Sequence, residues 1–516
     1  MSGIRQLKRV PIFLGLVASF MTLCIATSHA HSFVRSTDPK GGSKLRKPPS
    51  VVVIRFDAPV ELAFGRIHVL NSSGERVDRG EIEYVGEERT VVRTRLAPEL
   101  ENGRYLVRWR IVAGDGHPRN GEFGFRLALP APSPSASPSP SASPPDREAE
   151  EHGGHVASPG ASDEHGTGSG VVPNVLVGIA RWLTFAGLLL LTGLGAFAVV
   201  VWRPTGGLLR SPEVNEAFSR RWSALMRMAL VAAILGSLAS IPVQAAIAGD
   251  VPLSEAFSGD LLRAVFDTRF GEVVLIRLGL LLVCAAVLLP WGPAAERQTL
   301  AVATARQDLG AAAVRPAEPR LTVAALALLG LGLLATISFG GHAGTAEPVA
   351  VNVMADVLHL VGAAVWLGGL VGLIAVAFPA TRLEDGKRVQ IAAPVVSRFS
   401  DVAFIAVAVI VATGTFRAWI EIRTLEGLTG YAYGLTLLGK LAVVVPLLAL
   451  GGINRQWTKP RLNRAAVADA SPGSETPLRT LRRLVLVEVV LAAVVLAVSA
   501  ALGQFPPPTG GPGRHT

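Results

Sequence analysis

Eight apolar stretches, each long enough to cross a bilayer, leave this chain few folds to choose from: roughly 176–202, 224–248, 271–291, 321–340, 350–378, 399–420, 434–453 and 482–503. In hydrocarbon each backbone polar group must find its partner inside the protein, so runs of this kind become helices packed side by side. Half of the 516 residues are apolar, too many for a wholly soluble protein, and the chain is too long for a single domain. A net charge of +10 would suit nucleic acid, but the placement of Lys and Arg suits a lipid bilayer instead. With the first run entered from outside, the loops 203–221, 292–320, 379–398 and 454–483 hold nineteen Lys and Arg, while 249–270, 340–349, 421–433 and 504–516 hold four. Cytoplasmic loops carry such an excess, so both mature termini are expected outside a multi-pass cell-membrane protein.

Ahead of the first run the sequence changes character three times. Residues 1–30 read as a signal peptide, with Arg5, Lys8 and Arg9, an apolar run from Ile12 to Ile25, and small residues around Ser28-His29-Ala30. Cleavage after Ala30 makes His31 the first residue; cleavage after Ala26 or Ser28 leaves it in an ordinary peptide. Leu23 stands before Cys24 where a lipoprotein needs a small residue, so lipidation is not expected. Cys24 leaves with the signal and Cys284 lies in an apolar run, which excludes a disulfide framework in the mature chain. Residues 31–130 hold short β-rich runs such as Val51–Phe56, Thr90–Arg95 and Tyr105–Val112, punctuated by Asn71-Ser72-Ser73-Gly74 and Glu101-Asn102-Gly103. They predict a small antiparallel β-sandwich. Residues 131–171, rich in Pro, Ser and Ala and then in Glu, His and Gly, predict an extended tether to a membrane domain over 172–505, with a tail at 506–516.

The metal-binding chemistry starts at the mature N-terminus. A free amine and the imidazole Nδ1 of the same His31 close a six-membered chelate ring, and a tetragonal set of nitrogen and oxygen suits Cu(II). Asp115-Gly116-His117-Pro118 adds a carboxylate and an imidazole; read alone, it is a β-turn shaped by Asp and Gly. His68 alternates within a strand and reads as an ordinary sheet residue. His152, His155 and His165 stand among Glu148, Glu150, Glu151, Asp163 and Glu164, where they either collect metal weakly or merely solubilise the tether.

At this point the chain resembles two known families. Residues 31–130 look like the copper-binding CopC family, through His31 and Pro39, with Thr37 where a serine is usual, and through Tyr105, Trp109, Asp115, Gly116, His117, Pro118, Gly121, Phe123 and Phe125. The membrane part resembles the CopD copper-resistance family, through Gly341-His342-Ala343, Leu358-His359-Leu360 with Trp366-Leu367-Gly368-Gly369-Leu370, Arg398-Phe399-Ser400, Tyr433-Gly434, Lys440 and Glu488. The resemblance implies an Ig-like sandwich fused to an all-α bundle of about eight transmembrane helices, and copper delivery across a bacterial plasma membrane, usually into the cytoplasm. It also assigns the His31 amine and imidazole, the Asp115 carboxylate and the His117 imidazole to Cu(II). Cu(I) prefers soft sulfur ligands, and none of Met1, Met21, Met226, Met228 and Met354 falls within 31–130. The sandwich is therefore expected to hold Cu(II) only.

Within the spans, each costly polar residue is a candidate for function. Asn352, Asp356 and His359 are spaced four and three apart, on one face of the fifth helix. They suggest a copper path with His342 at its mouth, then Asp356 and His359, and with Met354, on another face, as a soft ligand. The competing reading is a polar face that hydrogen-bonds between helices for structure. Arg181, Arg277, Lys440 and Glu488 either pair as buried ions or snorkel. Three function classes follow: passage of copper through the bundle, sequestration outside the membrane, and redox chemistry at a histidine copper or a haem held by His342 and His359. The first assigns the chain no enzymatic step. No nucleotide-binding P-loop occurs, so transport would be passive, gradient-driven or coupled to reduction, with an external copper donor or reductase as a partner.

Overall fold

The structure, a computed structural model, describes residues 34–114, 116–129, 174–205, 211–288, 319–345, 348–384, 386–422, 424–467 and 476–503. The expected signal peptide 1–30, tether 131–171 and tail 506–516 lie outside the described residues, as do His31 and Asp115. The described chain forms two compact units, one of strands and one of helices.

The strand unit comprises β1 (Val34–Asp38), β2 (Lys44–Leu45), β3 (Val51–Phe56), β4 (Val60–Leu70), β5 (Asp78–Tyr84), β6 (Val91–Leu96), β7 (Gly103–Ala113) and β8 (Pro118–Leu127). They make two four-stranded sheets, ordered β1-β3-β6-β5 and β2-β8-β7-β4. All neighbours are antiparallel except the two-residue contact of β2 with β8. Alternation decides which side chains meet: Val52, Ile54 and Phe56 of β3 and Tyr105, Val107 and Ile111 of β7 are buried. Phe56 meets Trp109 edge-on at 5.5 Å, and Tyr105 stacks on Phe125 at 5.1 Å. Each such side chain contributes roughly 1.5–3 kcal/mol by leaving water. The expected β-sandwich is present.

The helical unit comprises α1 (Asn174–Ala196), α2 (Pro212–Gly249), α3 (Gly259–Phe266), α4 (Arg269–Leu288), α5 (Pro319–Phe339), α6 (Val349–Val371), α7 (Arg388–Ile422), α8 (Leu425–Thr429), α9 (Ala432–Ile453), α10 (Lys459–Val467) and α11 (Thr476–Leu502). Seven helical segments among the described residues are long and apolar enough to cross a membrane: Val175–Thr205, Pro212–Gly249, Arg269–Leu288, Val349–Leu383, Arg388–Ile422, Ala432–Val467 and Thr476–Leu502. The run expected at 321–340 falls in α5, whose apolar part, Val323–Phe339, is shorter than the others. Leu282, Leu328 and Val445 point outward, as lipid-facing side chains do.

Helices outrun the apolar stretches. The segments 379–398 and 454–483, expected as loops, are largely helical, because α7 begins at Arg388 and α9 continues through a π-helical turn, Asn454–Thr458, into α10. Backbone bonding does not stop where hydrocarbon stops; hydropathy marks the slab, not the helix end. Similar π-turns, Phe197–Trp202 and Gly372–Ala377, extend α1 and α6, and their Phe197, Val201, Trp202, Leu373, Val376 and Ala377 share one buried cluster. α1 sits centrally and packs against α2, α5, α6 and α11. Its crossing with α6 is backbone on backbone: a Cβ at Gly193 would collide with the Ala364 carbonyl, and one at Gly368 with Gly193 itself.

Candidate functional site

In the sandwich, strand register gathers one end. β1 starts at Val34, paired with Phe56 at the end of β3. Four residues later the chain enters β4 at Val60, paired with Ala113 at the end of β7. The start of β1 and the β7–β8 hairpin therefore share one end of the sandwich. The hairpin is closed by the Ala113 amide donating to the His117 carbonyl at 2.9 Å, with Gly116 in the left-handed region at φ +86°. His117 thus lies on the hairpin that the sequence singled out, and His31 would precede β1 by only three residues.

His68 lies on β4, opposite Arg108, with Nδ1 3.9 Å from Asp78 Oδ2. Asp78 is the better-built group. Its Oδ1 accepts from the Val69 amide at 2.8 Å, and its Oδ2 from Arg76 Nη2 at 2.7 Å and the Gly80 amide at 3.1 Å. Burial pushes this carboxyl up, but the Arg76 and Val69 hydrogen bonds and the Arg76 and His68 charges outweigh it and hold the group below its usual value.

In the bundle, α6 and α7 run antiparallel, and their polar stripes face each other. Asn352 and Asp356 are buried, 7% and 9% exposed, and His359 is half-buried. Asp356 is ion-paired with Arg417, whose Nη2 also holds Glu421 Oε1 at 2.8 Å. Tyr433, at the start of α9, donates its hydroxyl to the other Glu421 oxygen. One turn along, His359 Nδ1 lies 3.1 Å from Thr413 Oγ1. Thr413 has one hydroxyl hydrogen and the Val409 carbonyl accepts it at 2.7 Å, so Thr413 offers the ring a lone pair. The neutral imidazole is then the Nδ1–H tautomer, with Nε2 as its acceptor nitrogen. Gly414 leaves room for the ring, since a Cβ there would stand 3.3 Å from its Cε1.

The polar face expected on the fifth span is therefore present, but it meets partners the sequence reading did not name: Thr413, Arg417 and Glu421. Their spacing of four would have revealed the stripe, had Glu421 not been assigned to a loop. Met354 is 46% exposed on the outer surface of the bundle, away from that face. His342 opens a 3-10 turn, His342–Gly344, between α5 and α6. Arg277 is buried and joins no ion pair among the described residues; it donates to the Thr336 hydroxyl and carbonyl, both at 2.9 Å, tying α4 to α5. Arg181 donates to the Gly503 carbonyl, and Glu488 accepts from Asn454. Lys440 is coupled through charge to Arg417, Glu421 and His359. Among the described residues no three His, Cys, Asp or Glu side chains gather as a metal site.

A β-sandwich joined in one chain to a polytopic bundle with a buried polar seam defines a membrane protein with an appended β-domain. Residues 34–128 match the CopC domain, 172–314 the copper resistance protein D-like N-terminal domain, and 393–502 copper resistance protein D, so the chain carries a CopC domain followed by copper resistance protein D-like domains. The copper transport protein CutJ of Bacillus subtilis (strain 168) is 25% identical over 441 residues, 85% of this chain and 70% of its own length. Copper resistance protein D of Pseudomonas syringae pv. tomato is 29% identical over 37% of this chain and 61% of its own. The crystal structure of CopC from Methylosinus trichosporium OB3b covers 19% of this chain and 95% of its own, with 29% identity and a TM-score of 0.18.

Proposed function

We propose that this protein captures Cu(II) at the sandwich and passes copper through the helical bundle into the cytoplasm. His31, Asp115 and His117 are the capturing ligands in this reading, with the sandwich outside the membrane. The observation that carries passage is the antiparallel seam of α6 and α7, where His359 is oriented by Thr413 beside the Asp356–Arg417 pair. An oriented imidazole on a buried face, with one nitrogen committed to a hydroxyl, suits transient ligation of a copper ion better than a purely structural contact. Asp356, already neutralised by Arg417, becomes a copper ligand only when that pair opens, so the seam acts as a closed station. His342 and Met354 flank this route, the one at the end of α5 and the other on the outer surface. The reading assigns the chain no catalysis.

Sequestration without transport is the second reading, favoured by the lack of a three-ligand cluster among the described residues of the bundle. Copper uptake into proteoliposomes of the full-length chain, under oxidising and reducing conditions, separates the two. The expected result is uptake that drops at least tenfold in His359→Ala. Absence of uptake by the unmodified protein under both conditions would leave sequestration standing.

A further inference from the structure

Glu488 takes no part in the seam just described. It lies on α11, 3% exposed, near the end of the bundle where α9 finishes, whereas Tyr433 and the seam stand where α9 begins. Its Oε1 accepts from Asn454 Nδ2 at 2.5 Å, and no ion pair joins it to any described residue. Asn454 opens the π-helical turn after α9, and its Oδ1 is buried without a hydrogen-bond partner. Charged groups on the surrounding elements are engaged elsewhere or exposed. Arg455 and Lys459 hold Asp401 at 3.1 and 2.9 Å, and Arg181 serves Gly503 beyond the other end of α11. Lys440, Asp356 and His359 belong to the seam; Arg461, Arg464, Arg479, Arg482 and Arg483 are exposed.

An ionised carboxylate here would stand uncompensated among apolar side chains, a cost of several kcal/mol. A carboxylic acid has a hydrogen to give, and the Asn454 Oδ1 is an acceptor that lacks one. The two groups complement each other as an acid–amide pair: Nδ2–H to Oε1, which is present, and Oε2–H to Oδ1, which protonation of the carboxylate would supply. We propose that Glu488 and Asn454 form a reversible proton-binding site in the bundle. Protonation adds one H⁺ to the carboxylate from water and forms the second hydrogen bond; release reverses both, with no redox change. Its use as the coupling site of transport rests on the copper-passage reading, whereas the proton site itself does not.

Infrared difference spectroscopy of the purified full-length protein, titrated from neutral to alkaline pH, tests it directly. A protonated-carboxyl band should be present at neutral pH, vanish on alkalinisation, be missing from Glu488→Gln, and shift in frequency in Asn454→Leu, which keeps the acid. Identical spectra for the unmodified protein and Glu488→Gln at every pH would overturn the site. In proteoliposomes loaded with a pH dye, copper entry should move protons in the unmodified protein and lose that proton signal in Glu488→Gln; equal proton movement in both would overturn the coupling. A carboxyl band without copper uptake would uphold the site and sink only the passage reading.

Discussion

At the scale of single residues, Asp78 shows how a polar group off the functional site can hold a strand pair. Its carboxylate joins the start of β5 to the Val69 amide of β4 and to Arg76. Removing its charge in Asp78→Asn should cost about 1–3 kcal/mol, the range for a hydrogen bond to a buried charged group. Because the folded carboxyl titrates below its unfolded value, this stabilisation is fully present above the unfolded value, about 3.9, and is lost as pH falls through the lower folded one. Hydrogen exchange of the 66–70 segment, followed by mass spectrometry, should be faster in Asp78→Asn at neutral pH, with the difference closing under strong acid. Equal exchange at neutral pH would contradict the assignment.

At the scale of elements, apolar period and length were enough to place the membrane-crossing helices, though not their ends or the short helices between them, and alternation enough to place β3, β6 and β7, because both patterns follow directly from what each face touches. Strand order was not legible, since nothing in Val51–Phe56 says that β6 rather than β4 lies beside it. The seam was half legible: Asp356 and His359 stood out against an apolar span, while Arg417 and Glu421 lay at a helix end where charge is ordinary. The Arg277 contact with Thr336 was out of reach, because a threonine in a span carries no signal of its partner. The α1–α6 crossing is the element most exposed to mutation. Gly193→Val would force the two backbones apart, at a cost of roughly 1–3 kcal/mol or more for overpacking. The expected outcome is a lower thermal unfolding midpoint in detergent, and a midpoint unchanged from the parent would show that the helices separate freely.

At the scale of the whole molecule, His117 belongs to the strand unit and His359 to the helical one, so their proposed roles should fail separately. His117→Ala should lower Cu(II) affinity of the full chain at least tenfold while His359→Ala leaves it unchanged, as read by equilibrium dialysis. Affinity of the unmodified protein should also fall towards mildly acidic pH, since protons compete for the amine and imidazoles; a flat profile would rule out that ligand set. The crossing of Gly193 with Gly368 also bears on biosynthesis. The two glycines lie about 175 residues apart in the sequence, and helices of this kind enter the lipid before they pair. A ribosome building from the N-terminus therefore delivers α1 and α2 together but leaves the notch at Gly193 without its partner helix, open to lipid chains, until α6 is made.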